Sequence, residues 1–198
     1  NFWKNKKVLI TGHTGFKGSW LTLILSTLGA KIAGYALNPI SKPNFFDEIK
    51  LNKYLVKDYR NNILDYNKLK KVISVFKPEI VFHLAAQSSV IESYREPRET
   101  INTNVLGTTN VMEAIKFCKS TKSLIVVTTD KVYLNLEKKI PFREKDYLGG
   151  HDIYSGSKAA AEIVTQSYKK SFFKEGKQCN IATVRSGNCI GGGDWTKD

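Results

Sequence analysis

The sequence predicts an α/β fold: a parallel, doubly wound sheet with helices on both faces. Three observations carry that expectation. Short apolar runs alternate with longer helical patterns along the chain, the order a parallel sheet requires. The first apolar run ends in three glycines spaced G-x-x-G-x-x-G, and a helical pattern follows them. The length, 198 residues, suits a single domain with a substantial core.

Taken in order, the strands are expected at Val8–Thr11, Lys31–Ala36, near Asn61–Leu64, Ile80–His83, Ser123–Thr128 and Asn180–Val184. The first helix is expected over Phe16–Leu28, with Leu21, Ile24, Leu25 and Leu28 on one side and Gly29 as its stop signal. Further helices are expected over Tyr66–Phe76, as one long helix near Pro97–Ser120, and near Tyr154–Phe173. The polar segment Asn38–Tyr59 reads as a loop holding a short helix.

Strand, glycine turn and helix together are the context that a dinucleotide site needs. Gly12 permits a tight turn, Gly15 lets backbone approach a pyrophosphate, and Gly18 lets the helix pack close to the strand. The helix N-terminus supplies amides to the anion. The spacing is a variant of the more familiar G-x-G-x-x-G.

Downstream lies Tyr154-Ser155-Gly156-Ser157-Lys158. Residues four apart share one face of a helix. An ammonium so placed lowers a phenol's pKa from about 10 toward neutrality. The phenolate can then take a proton from a hydroxyl while hydride leaves for a nicotinamide.

Composition narrows the function classes. Hydrophobic residues make up 41% and aromatics 11%, as in globular proteins. No apolar run reaches the roughly 18 residues of a membrane span, and no signal peptide is visible, so no membrane role is expected. Cys118, Cys179 and Cys189 have no metal spacing and read as reduced thiols of a cytoplasmic protein. The net charge of +13 comes from lysines scattered along helices, with no arginine-rich or aromatic-basic module. That argues against nucleic acid and for a solvated basic surface, which would still aid capture of a phosphate-bearing substrate.

Several phrases, in order along nearly the whole chain, carry a resemblance. They are Thr11-Gly12-His13-Thr14-Gly15-Phe16-Lys17-Gly18-Ser19-Trp20, His83-Leu84-Ala85-Ala86-Gln87 and Thr103-Asn104-Val105-Leu106-Gly107-Thr108. Then come Thr128-Thr129-Asp130-Lys131-Val132-Tyr133, the Leu148–Lys158 stretch and Arg185-Ser186-Gly187-Asn188-Cys189-Ile190-Gly191-Gly192-Gly193-Asp194-Trp195. The chain resembles the nucleotide-sugar 4,6-dehydratases of the extended short-chain dehydrogenase/reductase superfamily. The glycine loop, Thr-Asp-Lys and Gly-Gly-Gly-Asp-Trp favour the branch that acts on CDP-glucose.

The resemblance implies a Rossmann-type sheet over residues 1–198 with NAD as cofactor. It also implies a smaller C-terminal substrate domain that this chain lacks, so that the chain alone turns over little. The implied reaction oxidises C4, eliminates water across C5 and C6, and returns hydride to C6. Carried over, Tyr154 is the base at O4, Lys158 holds the nicotinamide ribose, and Thr129 hydrogen-bonds the same hydroxyl. Asp130 is the acid toward O6. Lys131 stands where relatives have a glutamate; it is either the base at C5 or a stabiliser of the enolate. For the cofactor the resemblance implies Gly12, Gly15, Phe16, Lys17 and Gly18 at the pyrophosphate, Asn38 at the adenosine ribose, and Asn62 and Ile63 at the adenine. Leu84, Ala85, Ala86 and Gln87 close the fourth-strand edge, and Asn188 meets the substrate's phosphates. Asn38 and Asn62 replace aspartates of relatives, and each is otherwise a plain loop former. An epimerase or reductase of the same superfamily, and a non-catalytic dinucleotide-binding module, are the competing readings.

His13, His83 and His151 have no metal-ligand spacing, and no metal is expected. His13 is a loop residue within reach of a cofactor, His83 a core histidine and His151 a turn or cap element. A homodimer is implied through paired helices carrying Ile101, Val105, Met112 and Ile115 on one and Ala159, Ala160, Ile163 and Val164 on the other. These faces otherwise cover the domain's own sheet.

Overall fold

A computed structural model of the chain describes residues 1–137, 139–173 and 179–195. Six parallel strands form one sheet: β1 (Lys7–Thr11), β2 (Lys31–Ala36), β3 (Lys57–Arg60), β4 (Ile80–His83), β5 (Ser123–Val127) and β6 (Asn180–Val184). Their spatial order is β3-β2-β1-β4-β5-β6, so the order reverses between β1 and β4. In such sheets ligands bind beyond the carboxyl ends of the strands at that reversal.

The strands are apolar because both faces are covered. On β1, Val8 and Ile10 face a cluster with Leu25, Ile32 and Ile80, while Leu9 faces the opposite cluster around Leu69, Ile73, Met112 and Ile115. The helices that cover the sheet are α1 (Phe16–Thr27), α2 (Phe45–Glu48), α3 (Tyr66–Phe76), α4 (Val90–Arg95), α5 (Pro97–Ile101), α6 (Gly107–Lys116) and α7 (Ile153–Phe172).

Three expectations shift. The third strand lies at Lys57–Arg60, not Asn61–Leu64. It is an edge strand in which Tyr59 alone packs against the core, so it has little hydrophobic signature, and the apolar Ile63 and Leu64 pack in the turn that follows. The expected long helix is α5 and α6 joined by a π turn over Asn102–Leu106, and it ends at Lys116. A short helix, α4, precedes it. On α1 the buried residues are Gly18, Ser19, Thr22 and Leu25, while Ile24 and Leu28 are exposed. The helix meets the sheet through small residues because its first turn must come close to β1.

Of the residues expected in a helix-pairing surface, Met112, Ile115 and Ala159 are buried within the domain, whereas Ile101 and Ile163 are exposed. Among the described residues no helix is long and apolar enough to cross a membrane, and no cluster of His, Cys, Asp and Glu could hold a metal.

Candidate active site

A cleft of about 600 Å³ opens at the carboxyl ends of the strands. One wall is the glycine loop. Gly12 has φ +77° and turns the chain out of β1; a Cβ there would lie 2.7 Å from the Ala85 amide nitrogen. A Cβ on Gly18 would lie 2.1 Å from the Gly12 carbonyl oxygen. Helix α1 begins at Phe16 with no side-chain cap at Gly15. The first amides of a helix have no intrahelical acceptor, so they are available to an anion in the cleft. The cradle therefore fits a pyrophosphate.

The loop is fastened from below. His13 is fully buried, and its Nε2 lies 2.9 Å from Asp58 Oδ1 on β3. Burial chiefly, against the pull of Asp58, lowers its pKa to about 4, so it is neutral at pH 7. Its imidazole packs against Gly34, leaving no room there for a side chain. The expectation that His13 reaches a cofactor therefore fails: the side chain is committed to the layer beneath the loop. His83 is also buried, between the hydroxyls of Thr11 (2.7 Å) and Thr108 (3.0 Å). Burial, reinforced by the Lys158 charge, lowers its pKa to about 3. His151 Nε2 meets the Asn135 carbonyl at 2.9 Å, as a turn element does.

The other wall comes from the ends of β5 and β6 and the start of α7. Asp152 caps α7 in a reciprocal pair with Ser155, which fixes the first turn that carries Tyr154. Tyr154 and Lys158 both line the cleft. Lys158 is buried, and its Nζ donates to the Val127 carbonyl at 3.0 Å. Burial first, then the Lys17 charge, lowers its pKa to about 8, against the opposing pull of Glu162. Lys17 itself donates to Ser186 Oγ at 3.1 Å.

Beyond β5, Thr129 caps a single 3-10 turn over Asp130–Val132. The Asp130 amide donates to the Ser186 carbonyl at 2.9 Å, which continues the β5–β6 pairing and brings Asn188 alongside Lys131. Lys131 Nζ lies 3.3 Å from Asn188 Oδ1 and 3.4 Å from Asp130 Oδ1. Thr129, Lys131 and Asn188 line the cleft. Asp130 and Gln87 are not among its lining residues. Asp130 stands beside lining residues, accepting from the Thr129 hydroxyl at 3.1 Å. Gln87 spends its amide on Thr100 Oγ1 (2.8 Å) and the Ser89 backbone, so it buttresses the fourth-strand edge. Leu84, Ala85, Ala86, Asn38, Asn62 and Ile63 do line the cleft, and Asn62 Oδ1 also accepts from the Leu64 amide at 2.9 Å.

Two supports escaped the sequence reading. Glu162 is buried, and it accepts from Thr128 Oγ1 at 2.6 Å and from Arg185 Nε at 2.8 Å and Nη2 at 2.6 Å. This bidentate pair ties α7 to β6 and raises the Arg185 pKa above its ordinary value. The signal was present: Glu162 follows Lys158 by the same four residues that separate Lys158 from Tyr154. Asn104, in the π turn, donates to Ser157 Oγ (2.8 Å) and to the Gln87 carbonyl (3.0 Å), joining α7 to the β4 edge. It has no such spacing signal.

The sequence matches the GDP-mannose 4,6 dehydratase family over residues 9–183. The chain belongs to that family. A CDP-glucose 4,6-dehydratase of Salmonella typhimurium is 46% identical over the whole of this chain and 56% of its own length. The chain thus spans about half the length of that relative. Among solved structures, a UDP-glucose 4-epimerase of Thermotoga maritima with UDP-glucose superposes with TM-score 0.78 at 26% identity, over 90% of this chain and 54% of that one. A UDP-glucuronic acid 4-epimerase of Bacillus cereus, in complex with UDP-glucuronic acid and NAD, gives 0.75 at 25%, over 90% and 55%.

Proposed function

We propose that this chain is the NAD-binding and catalytic half of a nucleotide-sugar 4,6-dehydratase acting on CDP-glucose. The observation that carries the reading is the meeting, in one cleft, of a pyrophosphate cradle with Thr129, Lys131, Tyr154 and Lys158. The 46% identity to a CDP-glucose 4,6-dehydratase supports the choice of nucleotide. Because the chain spans 56% of that relative, we assign the rest of the sugar-nucleotide pocket to the part of the protein beyond it.

The pyrophosphate belongs along Gly12, Gly15, Phe16, Lys17 and Gly18, with the adenosine between Asn38, Asn62 and Ile63. Bound NAD supplies a hydride acceptor for C4 and a donor for C6. The chain's own groups handle the protons. Tyr154 removes the proton of the C4 hydroxyl, which Thr129 also hydrogen-bonds. Lys158 holds the nicotinamide ribose, and its positive charge favours the phenolate form of Tyr154. Lys131 meets the sugar at C5, either taking the proton that C4 oxidation has acidified or stabilising the enolate. Asp130 delivers a proton to the departing O6. Asn188 donates to the substrate's phosphates. The exposed Ile101 and Ile163 belong to a surface shared with a second copy of the chain.

A second reading has one observation in its favour. Asp130 stands outside the cleft lining, and a 4-epimerase needs no acid at O6. One experiment separates them. The full-length protein is incubated with CDP-glucose and TDP-glucose, with and without Tyr154→Phe, and the 4-keto-6-deoxy product is followed. Product from CDP-glucose, lost in the variant, is expected. A C4 epimer without keto sugar would establish the second reading instead.

A further inference from the structure

Resting on the dinucleotide reading of the cleft, we propose that residues 187–195 form a strap latched across it, a gate that must open for the cofactor to enter or leave. The strap is tied to both walls. At the catalytic wall Lys131 Nζ lies 3.3 Å from Asn188 Oδ1. Four residues on, at the glycine wall, Trp20 Nε1 of α1 donates to the Gly192 carbonyl at 3.0 Å. Between and beyond these ties Cys189, Gly193 and Trp195 line the cleft.

The seat on the glycine wall is aromatic. Trp20 stacks on Phe45 of α2, with ring centroids 4.5 Å apart and planes at 22°. A Cβ on Gly191 would lie 3.3 Å from the Phe16 ring, and one on Gly193 would lie 2.6 Å from Phe45. Gly193 also has φ +94°, which side-chain-bearing residues rarely adopt. Glycine at these positions lets bare backbone lie against the rings. Phe16 and Lys17 open α1, and their amides belong to the pyrophosphate cradle. Gly191 rests on Phe16, and Ser186, at the root of the strap, is bonded to Lys17. The strap thus sits on the side chains of the two residues whose amides would hold the phosphates.

The hold is light. No residue from 187 to 195 is buried, and Ile190, the one aliphatic side chain of the strap, is 99% exposed. Nothing anchors the strap in the core, so it opens without cost to the rest of the fold. Segments that close over a site in this way set exchange rates. A gate that opens more often speeds entry and exit alike, because a ligand with no preference between the open and closed states leaves their equilibrium alone.

The test is stopped-flow binding of NADH to the full-length protein, followed by the cofactor's fluorescence, which reads association and dissociation rates and not turnover. Trp20→Phe keeps a ring on Phe45 and removes the donor to Gly192, so both rates should rise about fivefold, the worth of one hydrogen bond. Gly193→Ala drives a Cβ into Phe45 and should raise both by at least about tenfold. Gly192→Ala, where a Cβ meets nothing within 4 Å, should leave both within about twofold. In all three the dissociation constant should stay within about threefold of the unaltered protein's. Faster release with unchanged entry, and binding weakened in proportion, would make the strap a wall of the binding site and overturn the gate. So would unchanged rates in Trp20→Phe and Gly193→Ala, or a Gly192→Ala variant as fast as Gly193→Ala. Absence of NADH binding to the unaltered protein would instead remove the cofactor reading itself, and the gate with it.

Discussion

The two walls of the cleft are built on different principles. The glycine wall is made of backbone: at Gly12 and Gly18 a single added carbon would strike main-chain atoms. The wall at β5, β6 and α7 is made of side chains, placed by a capping box, a buried Glu162–Arg185 pair and the Lys131–Asn188 contact. The first wall can only bind, because amides and a helix N-terminus offer fixed donors. The second can move protons, because its groups titrate. A backbone site is lost when something is added to it, whereas a side-chain site is lost when something is removed.

The largest expected effect tests the second wall. Tyr154→Phe removes the base and keeps the ring, so turnover by the full-length protein should fall by about 10²–10⁴. Thermal stability should shift by less than about 1 kcal/mol, since no core atom is lost. A fall of the same size in NAD⁺ affinity would blur the division between walls. Next, Glu162→Gln leaves Arg185 and Thr128 facing a group that cannot complete the ion pair. Removing one partner of a buried pair costs about 3–5 kcal/mol, and the neutral amide should retain part of that, leaving a loss of about 3 kcal/mol in chemical denaturation. A loss under about 1 kcal/mol would show that the pair contributes no more than an exposed one. Gly18→Ala tests the first wall by addition. Overpacking against backbone costs about 1–3 kcal/mol, and the loop must shift to accept it, so NAD⁺ affinity should fall together with stability. An alanine variant with unchanged NAD⁺ affinity would show that the loop has slack that the geometry denies.

The walls also differ in how legible they were. The glycine wall could be read almost atom by atom, because close approach of backbone to backbone has one solution in residue type, and that solution is glycine. The four-residue spacing placed Tyr154 and Lys158 on one face of α7 for the same reason: it is a property of the helix. What could not be read was anything depending on two distant segments. The register of β5 against β6 sets Asn188 beside Lys131. Nothing local to His13 announces its partner Asp58, which β3 supplies from 45 residues away. The position of β3 itself was hidden because an edge strand with polar residues has no apolar period. Local rules fix local geometry, and the catalytic wall is assembled from partners that local rules do not connect.

The smallest expected effect probes the seam between the walls, where the two buried histidines lie. His13 braces the glycine loop, and His83 links Thr11 of β1 to Thr108 of α6. Both have folded-state pKa values below the ordinary 6.5, at about 4 and about 3, chiefly through burial. The unfolded chain therefore binds more protons than the folded one as pH falls below 6.5, so stability rises with pH across this window. The stabilisation is complete above 6.5, declines as the pH falls, and stops declining for each histidine only below its folded value. Lowering the pH from about 6.5 to about 5.5 should remove about 1 kcal/mol per histidine, measured by urea unfolding at each pH. His13→Gln, which keeps a side-chain hydrogen-bonding group near Asp58 without the titration, should flatten about half of that slope. If the slope is unchanged in the variant, His13 is not held neutral beneath the loop. The glycine wall would then rest on backbone geometry alone, without the brace from β3.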